Sequence, residues 1–222
     1  MSAQQPEANL IVIPGAGSSG ITWQPLLATI DAGLLPVPDE DDVSTMAAAL
    51  RPSIESVERP RILVGASLGA MVALEVARQT DVDGLVLLAA GFGIDVSDTL
   101  LQWVADGPPE LFPKMARASL GDPTNEKHQA IAVEDFESRG QPVVYRHLDA
   151  LSRYRPGPIE SAPPTIVVWG DRDHSVPLRD HVELAMRCQG ALVPVADAGH
   201  LPFLERPEEI RRVITWFIEW TL

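Results

Sequence analysis

A serine flanked by glycines, in Gly65-Ala66-Ser67-Leu68-Gly69, has the spacing of a nucleophile held at a sharp turn. The apolar residues just before it predict a strand, and the residues from Leu68 to Arg78 predict a helix. A serine between two such elements has its hydroxyl lifted into a cleft, and the glycines leave room where the strand and helix backbones approach. Ser67 is therefore the predicted nucleophile.

A serine hydroxyl is a weak nucleophile until a base removes its proton, and histidine is the usual base. The chain has five candidates: His128, His147, His174, His181 and His200. His200 is favoured because it follows a predicted strand and the pair Ala198-Gly199, in a loop at the carboxyl end of the expected sheet. His128, His147 and His181 fall in an insertion or in a helical stretch, so they are interpreted as surface or core residues.

A neutral imidazole works best beside a buried carboxylate that holds its tautomer. Asp173 is the favoured carboxylate, because it lies in the loop after a predicted strand that ends at Gly170. Asp171 and Asp197 are the alternatives. Asp171 suits a turn in which it bonds its own backbone, and Asp197 is too close in sequence to His200 for their side chains to oppose each other easily.

Short apolar runs alternate with longer helical patterns along the chain. The runs are 10–13, 62–64, 85–88, 165–169 and 191–195, with a weaker one at 33–38. Continuous β-branched runs indicate strands covered on both faces, and their alternation with helices indicates parallel neighbours joined by crossovers. The sequence therefore predicts an α/β fold with a mostly parallel sheet of about six strands flanked by helices. In such sheets, sites lie beyond the carboxyl ends of the strands.

Residues 92–158 break this alternation with several helical patterns between two predicted strands. They predict a helical cap insertion over the strand ends, within a core made of residues 1–91 and 159–222. Crossover helices of the main layer are the alternative, although a crossover needs only about a dozen residues. Large side chains of the insertion are predicted to face a pocket, although core packing explains them about as well. They are Trp103, Phe112, Met115, Phe136 and Tyr145.

Three motifs together resemble those of the α/β-hydrolase superfamily, and the likeness extends from Leu10 to the C-terminus. The serine pentapeptide resembles its nucleophile elbow, residues 169–177 its acid loop, and residues 198–209 its histidine loop. The chain order of serine, aspartate and histidine is also that of the superfamily. The resemblance implies a catalytic triad on an α/β-hydrolase fold. We expect a shortened version of that fold, because no predicted strand precedes Leu10.

The resemblance also implies an oxyanion hole, in which backbone N–H groups bind the charged oxygen of an intermediate. Carried over by position, its donors are the amide of Leu68, directly after the nucleophile, and that of Ala16, in the glycine-rich loop 14–17. This loop departs from the family pattern at Pro14, where a histidine often stands and generally shapes the loop.

Two other motifs have more ordinary interpretations. The glycines at positions 15, 17 and 20 fit a dinucleotide-binding fingerprint, but no acidic residue ends a second strong strand about twenty residues later. The segment from Thr22 to Pro25 is also a poor helix opening. The acidic run from Asp39 to Asp42 is interpreted as a solvated turn rather than a metal site, because no histidine is nearby.

Composition excludes several classes of protein. The 222 residues suffice for one hydrophobic core, and no apolar run approaches the roughly 18 residues of a spanning helix. The net charge of −14 disfavours nucleic acid and anionic membranes as partners. The single cysteine, Cys188, excludes an internal disulfide and a multi-cysteine metal site. The first residues lack the features of a signal peptide, so a cytoplasmic protein is expected. No metal is expected either.

These observations predict a cofactor-independent serine hydrolase that cleaves a carboxylic ester or thioester through an acyl-enzyme on Ser67. Its partner is a small-molecule substrate with an acyl group. The same triad can also cleave carbon–carbon bonds, open lactones or act as a lyase, and no residue separates those outcomes. A catalytically silent hydrolase fold that serves as a binding module is the other alternative. Natural substrate, pathway and oligomeric state are left open.

Overall fold

The sheet at the centre of the molecule is parallel throughout. A computed structural model describes residues 8–157, 159 and 161–222, and six strands occur within them. They are β1 (Asn9–Ile13), β2 (Ala32–Leu34), β3 (Arg61–Ala66), β4 (Gly84–Leu88), β5 (Thr165–Gly170) and β6 (Ala191–Val195). Their order across the sheet is β2-β1-β3-β4-β5-β6, and each neighbouring pair is parallel. The predicted parallel sheet of about six strands is confirmed.

The weakest predicted strand is shorter than expected. The apolar pattern covers residues 33–38, but β2 ends at Leu34 on the edge of the sheet beside β1. One more bond follows, from Leu35 N–H to the carbonyl oxygen of Val12 at 2.9 Å. Pro36 and Pro38 then lack the N–H that a further pairing would need. The chain therefore leaves the sheet at this point.

Helices cover both faces of the sheet, and within the described residues they alternate with the strands as predicted. They are α1 (Gln24–Leu27), α2 (Val43–Glu55), α3 (Leu68–Ala77), α4 (Asp98–Asp106), α5 (Leu111–Ser119), α6 (Glu126–Arg139), α7 (Gln141–Arg153), α8 (Leu178–Arg187), α9 (Pro202–Glu205) and α10 (Pro207–Thr221). Alternate strand residues bury against two apolar layers, one with α2, α3 and α8 and the other with α1, α9 and α10. None of these helices combines the length and apolar sequence that spanning a bilayer requires.

The helices α4 to α7 lie between β4 and β5, where the sequence predicts an insertion. Among the described residues, Val104, Leu111, Val144 and Leu148 form an apolar cluster apart from the two layers on the sheet. On this ground we propose that residues 92–158 are a cap unit on a core of residues 1–91 and 159–222. The residue at the second boundary, Pro158, lies outside the described residues, as do residues 1–7.

Candidate active site

Ser67 lies at the junction of β3 and α3 in a strained backbone conformation. Its φ of 53° and ψ of −119° place a side-chain-bearing residue at positive φ, which persists only where the surrounding structure enforces it. Here the Ser67 N–H donates to the carbonyl oxygen of Leu88 in β4 at 3.0 Å, and the Ser67 carbonyl accepts from Ala70 and Met71 in α3. The turn is therefore tied on both sides, and it presents Ser67 to a cavity.

Gly65 and Gly69 are required by the tight crossing of β3 and α3. A Cβ atom on Gly65 would lie 2.5 Å from the carbonyl oxygen of Gly69, and one on Gly69 would overlap the carbonyl oxygens of Ile13 and Pro14. All of these obstacles are backbone atoms, which cannot turn aside as a flexible side chain can. Glycine at both positions thus allows β3, α3 and the end of β1 to meet beside Ser67.

His200 and Asp173 are joined by a hydrogen bond between the loops that follow β6 and β5. The His200 Nδ1–H donates to Asp173 Oδ2 at 2.9 Å. The other carboxylate oxygen, Oδ1, accepts from the backbone N–H groups of Ser175 at 2.8 Å and Val176 at 3.0 Å. The Asp173 side chain is fully buried, whereas that of His200 is 14% exposed. The carboxylate therefore holds the imidazole with Nδ1 protonated and Nε2 available to accept a proton.

The two groups shift each other's pKa values in opposite directions. Burial opposes the charged form of Asp173, but the His200 charge and hydrogen bond, with the two backbone N–H donors, hold the pKa of this carboxyl below its usual value. Burial likewise opposes the charged form of His200, but Asp173 and, more weakly, Glu205 raise its pKa above the ordinary value. The site therefore favours an imidazolium beside a carboxylate, the charge state that forms when histidine accepts a proton.

Ser67 and His200 line the same cavity, whose volume is about 390 Å³. Gly15 and Ala16 line it as well, so the loops after β1, β3 and β6 converge there. Among the described residues, no hydrogen bond joins the Ser67 and His200 side chains. Such contacts are often long in an enzyme without substrate and tighten when substrate binds.

Two backbone amides beside Ser67, those of Ala16 and Leu68, donate to no other described residue. The loop after β1 runs next to the serine, since a Cβ atom on Gly15 would lie 3.4 Å from Ser67 Cβ. Leu68 begins α3, and the first N–H groups of a helix have no partner within it and carry partial positive charge. The two free donors can therefore bind a negatively charged oxygen near the Ser67 hydroxyl.

Comparison with known proteins identifies the family. The family model described as the alpha/beta hydrolase family matches residues 10–213. The chain belongs to this family. The resemblance stated from the three motifs, and the α/β-hydrolase fold that it implies, are thus confirmed.

Proteins similar to this alpha/beta hydrolase include esterases and a thioesterase. The pimeloyl-[acyl-carrier protein] methyl ester esterase of Methylococcus capsulatus is 29% identical, over 98% of this chain and 96% of its own. A thermophilic esterase superimposes with a TM-score of 0.87 at 20% identity, over 96% of this chain and 90% of its own. The type II thioesterase BorB from the borrelidin biosynthetic cluster has a TM-score of 0.68 at 22% identity, over 97% and 94% of the two chains. These two structures establish the fold.

The cavity of the hydrolase is lined mainly by apolar side chains from the four helices α4 to α7 and the sheet loops. Of the side chains that the sequence suggests for a pocket, Trp103, Met115 and Phe136 are among the lining residues. Phe112 and Tyr145 are not among its lining residues. Phe112 instead packs against Phe136, with 6.1 Å between ring centroids. Tyr145 is 37% exposed, because the inward face of α7 is taken by Val144 and Leu148.

The alternative acids and bases do not line the cavity. Asp171 is exposed, and so is Asp197, which forms an ion pair with Arg172. His174 is also exposed. His181 is fully buried, where its Nε2 accepts from the Ala90 N–H at 3.1 Å. These positions match the interpretation of His181 as a core residue, and they leave His200 as the histidine next to Ser67.

Two buried carboxylates of the hydrolase, Asp135 and Glu205, are not among the candidate residues that the sequence predicts. Asp135 of α6 lines the cavity and binds the loop after β1. Glu205 of α9 accepts from the backbone N–H groups of Gly199 and Gly121, both at 2.9 Å. Burial raises the pKa of Glu205, although these N–H donors oppose the shift. For Asp135 the available signal is an acidic residue three positions after Ala132 on the buried face of α6.

The dinucleotide interpretation of the loop after β1 is not supported by its surroundings. A carboxylate, Asp135, accepts from the amides of Ser19 and Thr22, where a pyrophosphate would need them. The helix that follows, α1, has only four residues. The glycines therefore shape a turn in this hydrolase rather than a nucleotide site.

Proposed function

We propose that the protein hydrolyses a carboxylic ester or thioester through an acyl-enzyme on Ser67. The observation that carries the proposal is that Ser67 and His200 line one cavity, with Asp173 hydrogen-bonded to His200 at 2.9 Å. The curated relative named as a methyl ester esterase supports an ester, and the thioesterase likeness supports a thioester as well. Catalytic Ser67, Asp173 and His200 form the proposed triad.

In the acylation step, His200 Nε2 takes the proton of the Ser67 hydroxyl while Ser67 Oγ forms a bond to the substrate carbonyl carbon. The carbonyl electron pair moves onto oxygen, and the amides of Ala16 and Leu68 stabilise the resulting oxyanion, each by about 3 kcal/mol. The intermediate then expels the alcohol or thiol, which receives the proton from His200. Water activated by His200 next attacks the acyl-enzyme and releases the acid.

Asp173 stabilises the imidazolium that each of these steps forms. Its lowered pKa keeps it ionised near neutral pH, and its second oxygen is held by the Ser175 and Val176 amides. A fixed negative charge at Nδ1 needs no rearrangement when His200 becomes positive. The carboxylate therefore acts by orientation and charge rather than by taking the proton.

The cavity supports an acyl group of moderate size with a largely apolar body. Its volume of about 390 Å³ falls within the range of small-molecule sites. Trp103, Met115 and Phe136 from the proposed cap line the same cavity as Ser67. Apolar walls stabilise an alkyl or aryl acyl chain by removing its surface from water.

We further propose that the protein acts in the cytoplasm on a small molecule, with neither metal nor cofactor. Ser67 supplies the nucleophile that the reaction needs. Cys188 is a poor rival, because burial raises the pKa of its thiol to about 11 and leaves little thiolate. The net charge of −14 supports a small acyl substrate over nucleic acid or an anionic membrane.

The test of the proposal is Ser67→Ala, measured with p-nitrophenyl esters of increasing chain length and with acyl-thioesters. We expect kcat to fall by about 10⁶ for whichever class the wild type turns over, because the nucleophile is lost. Ser53→Ala is the matched control, since Ser53 is exposed on α2. Turnover by Ser67→Ala at the wild-type rate would refute the nucleophile.

The alternative functions are separated by labelling and by product analysis. A fluorophosphonate should form a covalent adduct on Ser67 in the wild type and none in Ser67→Ala. A folded wild type without the adduct would instead indicate a silent binding module. If Ser67 is labelled but esters and thioesters are not hydrolysed, lactones and substrates with activated carbon–carbon bonds are the next classes to assay.

A further inference from the structure

The loop between Pro14 and Gly20, which carries the Ala16 amide, is held from outside by polar side chains of α6 and α7. We propose that Asp135 and His147 are positioning residues that hold the Ala16 N–H in the oxyanion hole. The proposal rests on the function proposed above. On this proposal, α6 and α7 position an oxyanion-hole donor in addition to lining the cavity.

Asp135 binds the far end of this loop with both carboxylate oxygens. Among the described residues, Oδ1 accepts from Ser19 N–H at 2.7 Å and from Ser19 Oγ at 2.9 Å. Oδ2 accepts from Ser18 Oγ at 2.7 Å, from Thr22 N–H at 3.0 Å and from Thr22 Oγ1 at 2.6 Å. Only 1% of Asp135 is exposed. Each of these donors compensates part of a buried charge, so moving any one of them away from the carboxylate costs free energy.

His147 binds the loop one residue after Ala16. Its Nδ1 accepts from the Gly17 N–H at 3.1 Å, and its Nε2–H donates to the carbonyl oxygen of Pro38, also at 3.1 Å. These partners require the neutral ring with its proton on Nε2. The side chain is fully buried, and burial lowers its pKa to about 4, in agreement with a neutral imidazole. The ring thus connects the loop after β1 to the loop after β2.

Shape complements these hydrogen bonds at Gly17. Its φ is +68°, and a Cβ atom there would overlap Val144 Cγ2 of α7. The loop therefore has α7 against it at the residue next to the oxyanion donor. On its other side, a Cβ atom on Gly15 would lie 3.4 Å from Ser67 Cβ, which is an ordinary van der Waals distance. Ala16 lies between these two contacts.

This arrangement couples the side chains to the chemistry. An oxyanion donor acts when its N–H lies about 2.7–3.1 Å from the developing charge, and displacements near 1 Å cost on the order of 10²-fold in rate. Ala16 itself has no side-chain anchor beyond its methyl group. The position of its N–H is therefore set by its neighbours, Gly17 on His147 and residues 18 to 22 on Asp135.

The experiment compares Asp135→Asn with Glu137→Gln, which neutralises an exposed carboxylate on the same helix. For Asp135→Asn we expect kcat to fall by about 10- to 100-fold, with KM little changed. We expect the inhibition constant of an alkyl trifluoromethyl ketone, which forms an oxyanion when it adds to the serine, to rise in parallel. A merely structural role would lower the melting temperature without this parallel loss.

His147 offers a second test through a conservative variant. His147→Asn keeps an acceptor near the place of Nδ1, whereas His147→Leu removes both hydrogen bonds. We expect kcat of the asparagine variant to lie between those of the wild type and the leucine variant. Equal kcat values for all three, in folded proteins, would remove His147 from the proposal.

The outcomes separate this proposal from the proposed function. A wild type that turns over no acyl substrate and takes no label on Ser67 refutes the function. A wild type that is active, with Asp135→Asn folded and equal to Glu137→Gln in kcat and in ketone affinity, overturns the positioning role alone. If Asp135→Asn does not fold, Ser18→Ala and Thr22→Val each remove one donor to Asp135. Unchanged kcat and ketone affinity in both would then overturn the positioning role.

Discussion

Two loops flank Ser67: Pro14–Gly20 after β1 and Ala198–Leu201 after β6. Each is hydrogen-bonded to a buried carboxylate, but the two carboxylates differ in how far along the chain they lie from their loop. Glu205 lies five residues after His200, and it accepts from the Gly199 N–H at 2.9 Å. Asp135 lies 117 residues from Ser18, its partner at 2.7 Å. One loop is therefore held by its own segment, and the other by a distant helix.

The histidine loop also touches the helical insertion, but through backbone atoms. The His200 N–H donates to the carbonyl oxygen of Ser119 at 2.8 Å, and Glu205 accepts from the Gly121 N–H at 2.9 Å. This contact needs glycine at position 121, where a Cβ atom would lie 2.7 Å from the Gly199 nitrogen, but it needs no polar side chain from the insertion. The loop after β1 depends instead on two particular side chains, Asp135 and His147. Substitutions in α6 and α7 should therefore affect the oxyanion loop more than the histidine loop.

The largest effect should come from the histidine side of this comparison. In Asp173→Asn the amide can donate to Nδ1 and so favour the wrong imidazole tautomer. We expect kcat to fall by about 10⁴, measured on the best ester or thioester substrate. Asp171→Asn is the control, since Asp171 is exposed in the same loop. Similar losses in both variants would mean that the wrong carboxylate has been assigned.

A smaller effect, on the free energy of unfolding, should come from His147, which binds the loop after β1. Because the folded pKa of His147 is about 4 and the reference value is 6.5, the unfolded chain binds the proton more tightly. The contribution of neutral His147 to the free energy of unfolding is therefore complete above pH 6.5 and is lost as pH falls toward 4. From pH 7 to pH 5 the free energy of unfolding should fall by about 2 kcal/mol for this reason.

Urea unfolding at those two pH values measures this contribution. His147→Asn should lose less stability on acidification than the wild type, by that amount. His174→Asn, at an exposed histidine, should behave as the wild type does. Identical losses in the wild type and His147→Asn would show that the ring is not held neutral by the fold.

A change in pH dependence should show that the charge of Glu205 acts on the base His200. The acid limb of kcat/KM reports the pKa of His200, which is raised, so its midpoint should lie above 6.5 and activity should increase with pH through it. The negative charge of Glu205 helps to raise the pKa of His200, so Glu205→Gln should move the midpoint to lower pH. The control Glu209→Gln, at an exposed position on α10, should leave it in place. No displacement in Glu205→Gln would separate Glu205 from the base.

The smallest effect is expected at the surface between the acid and histidine loops. Arg172 and Asp197 form an ion pair there, and both side chains are about half exposed. Solvent screens such pairs, so Arg172→Ala should change the free energy of unfolding by less than about 1 kcal/mol. It should also leave kcat unaltered. A large change in either quantity would show that the two loops are coupled by this pair as well as by His200 and Asp173.

Much of the sheet and of the proposed triad follows from local sequence. Apolar runs such as Leu85–Leu88 can be covered on both faces only inside a sheet, and glycines on each side of Ser67 leave few structures other than a tight turn. The pocket was less predictable: Tyr145 and Phe112 have the size and polarity of lining residues, but helix rotation and ring packing turn them elsewhere. Strand β2 ends early because Pro36 and Pro38 have no backbone N–H with which to continue the pairing with β1.

By itself the sequence determined the order of strands and helices along the chain and the turn at Ser67, and it favoured Asp173 over Asp171 and Asp197 as the partner of His200. These depend on residues near one another or on strand ends that a parallel sheet brings to one edge. Only the tertiary structure decided that Asp135 and His147 bind the loop of Ala16, because a carboxylate or an imidazole on a helix is polar in any fold. What it binds depends on which helix packs against which loop, and packing is a property of the whole chain.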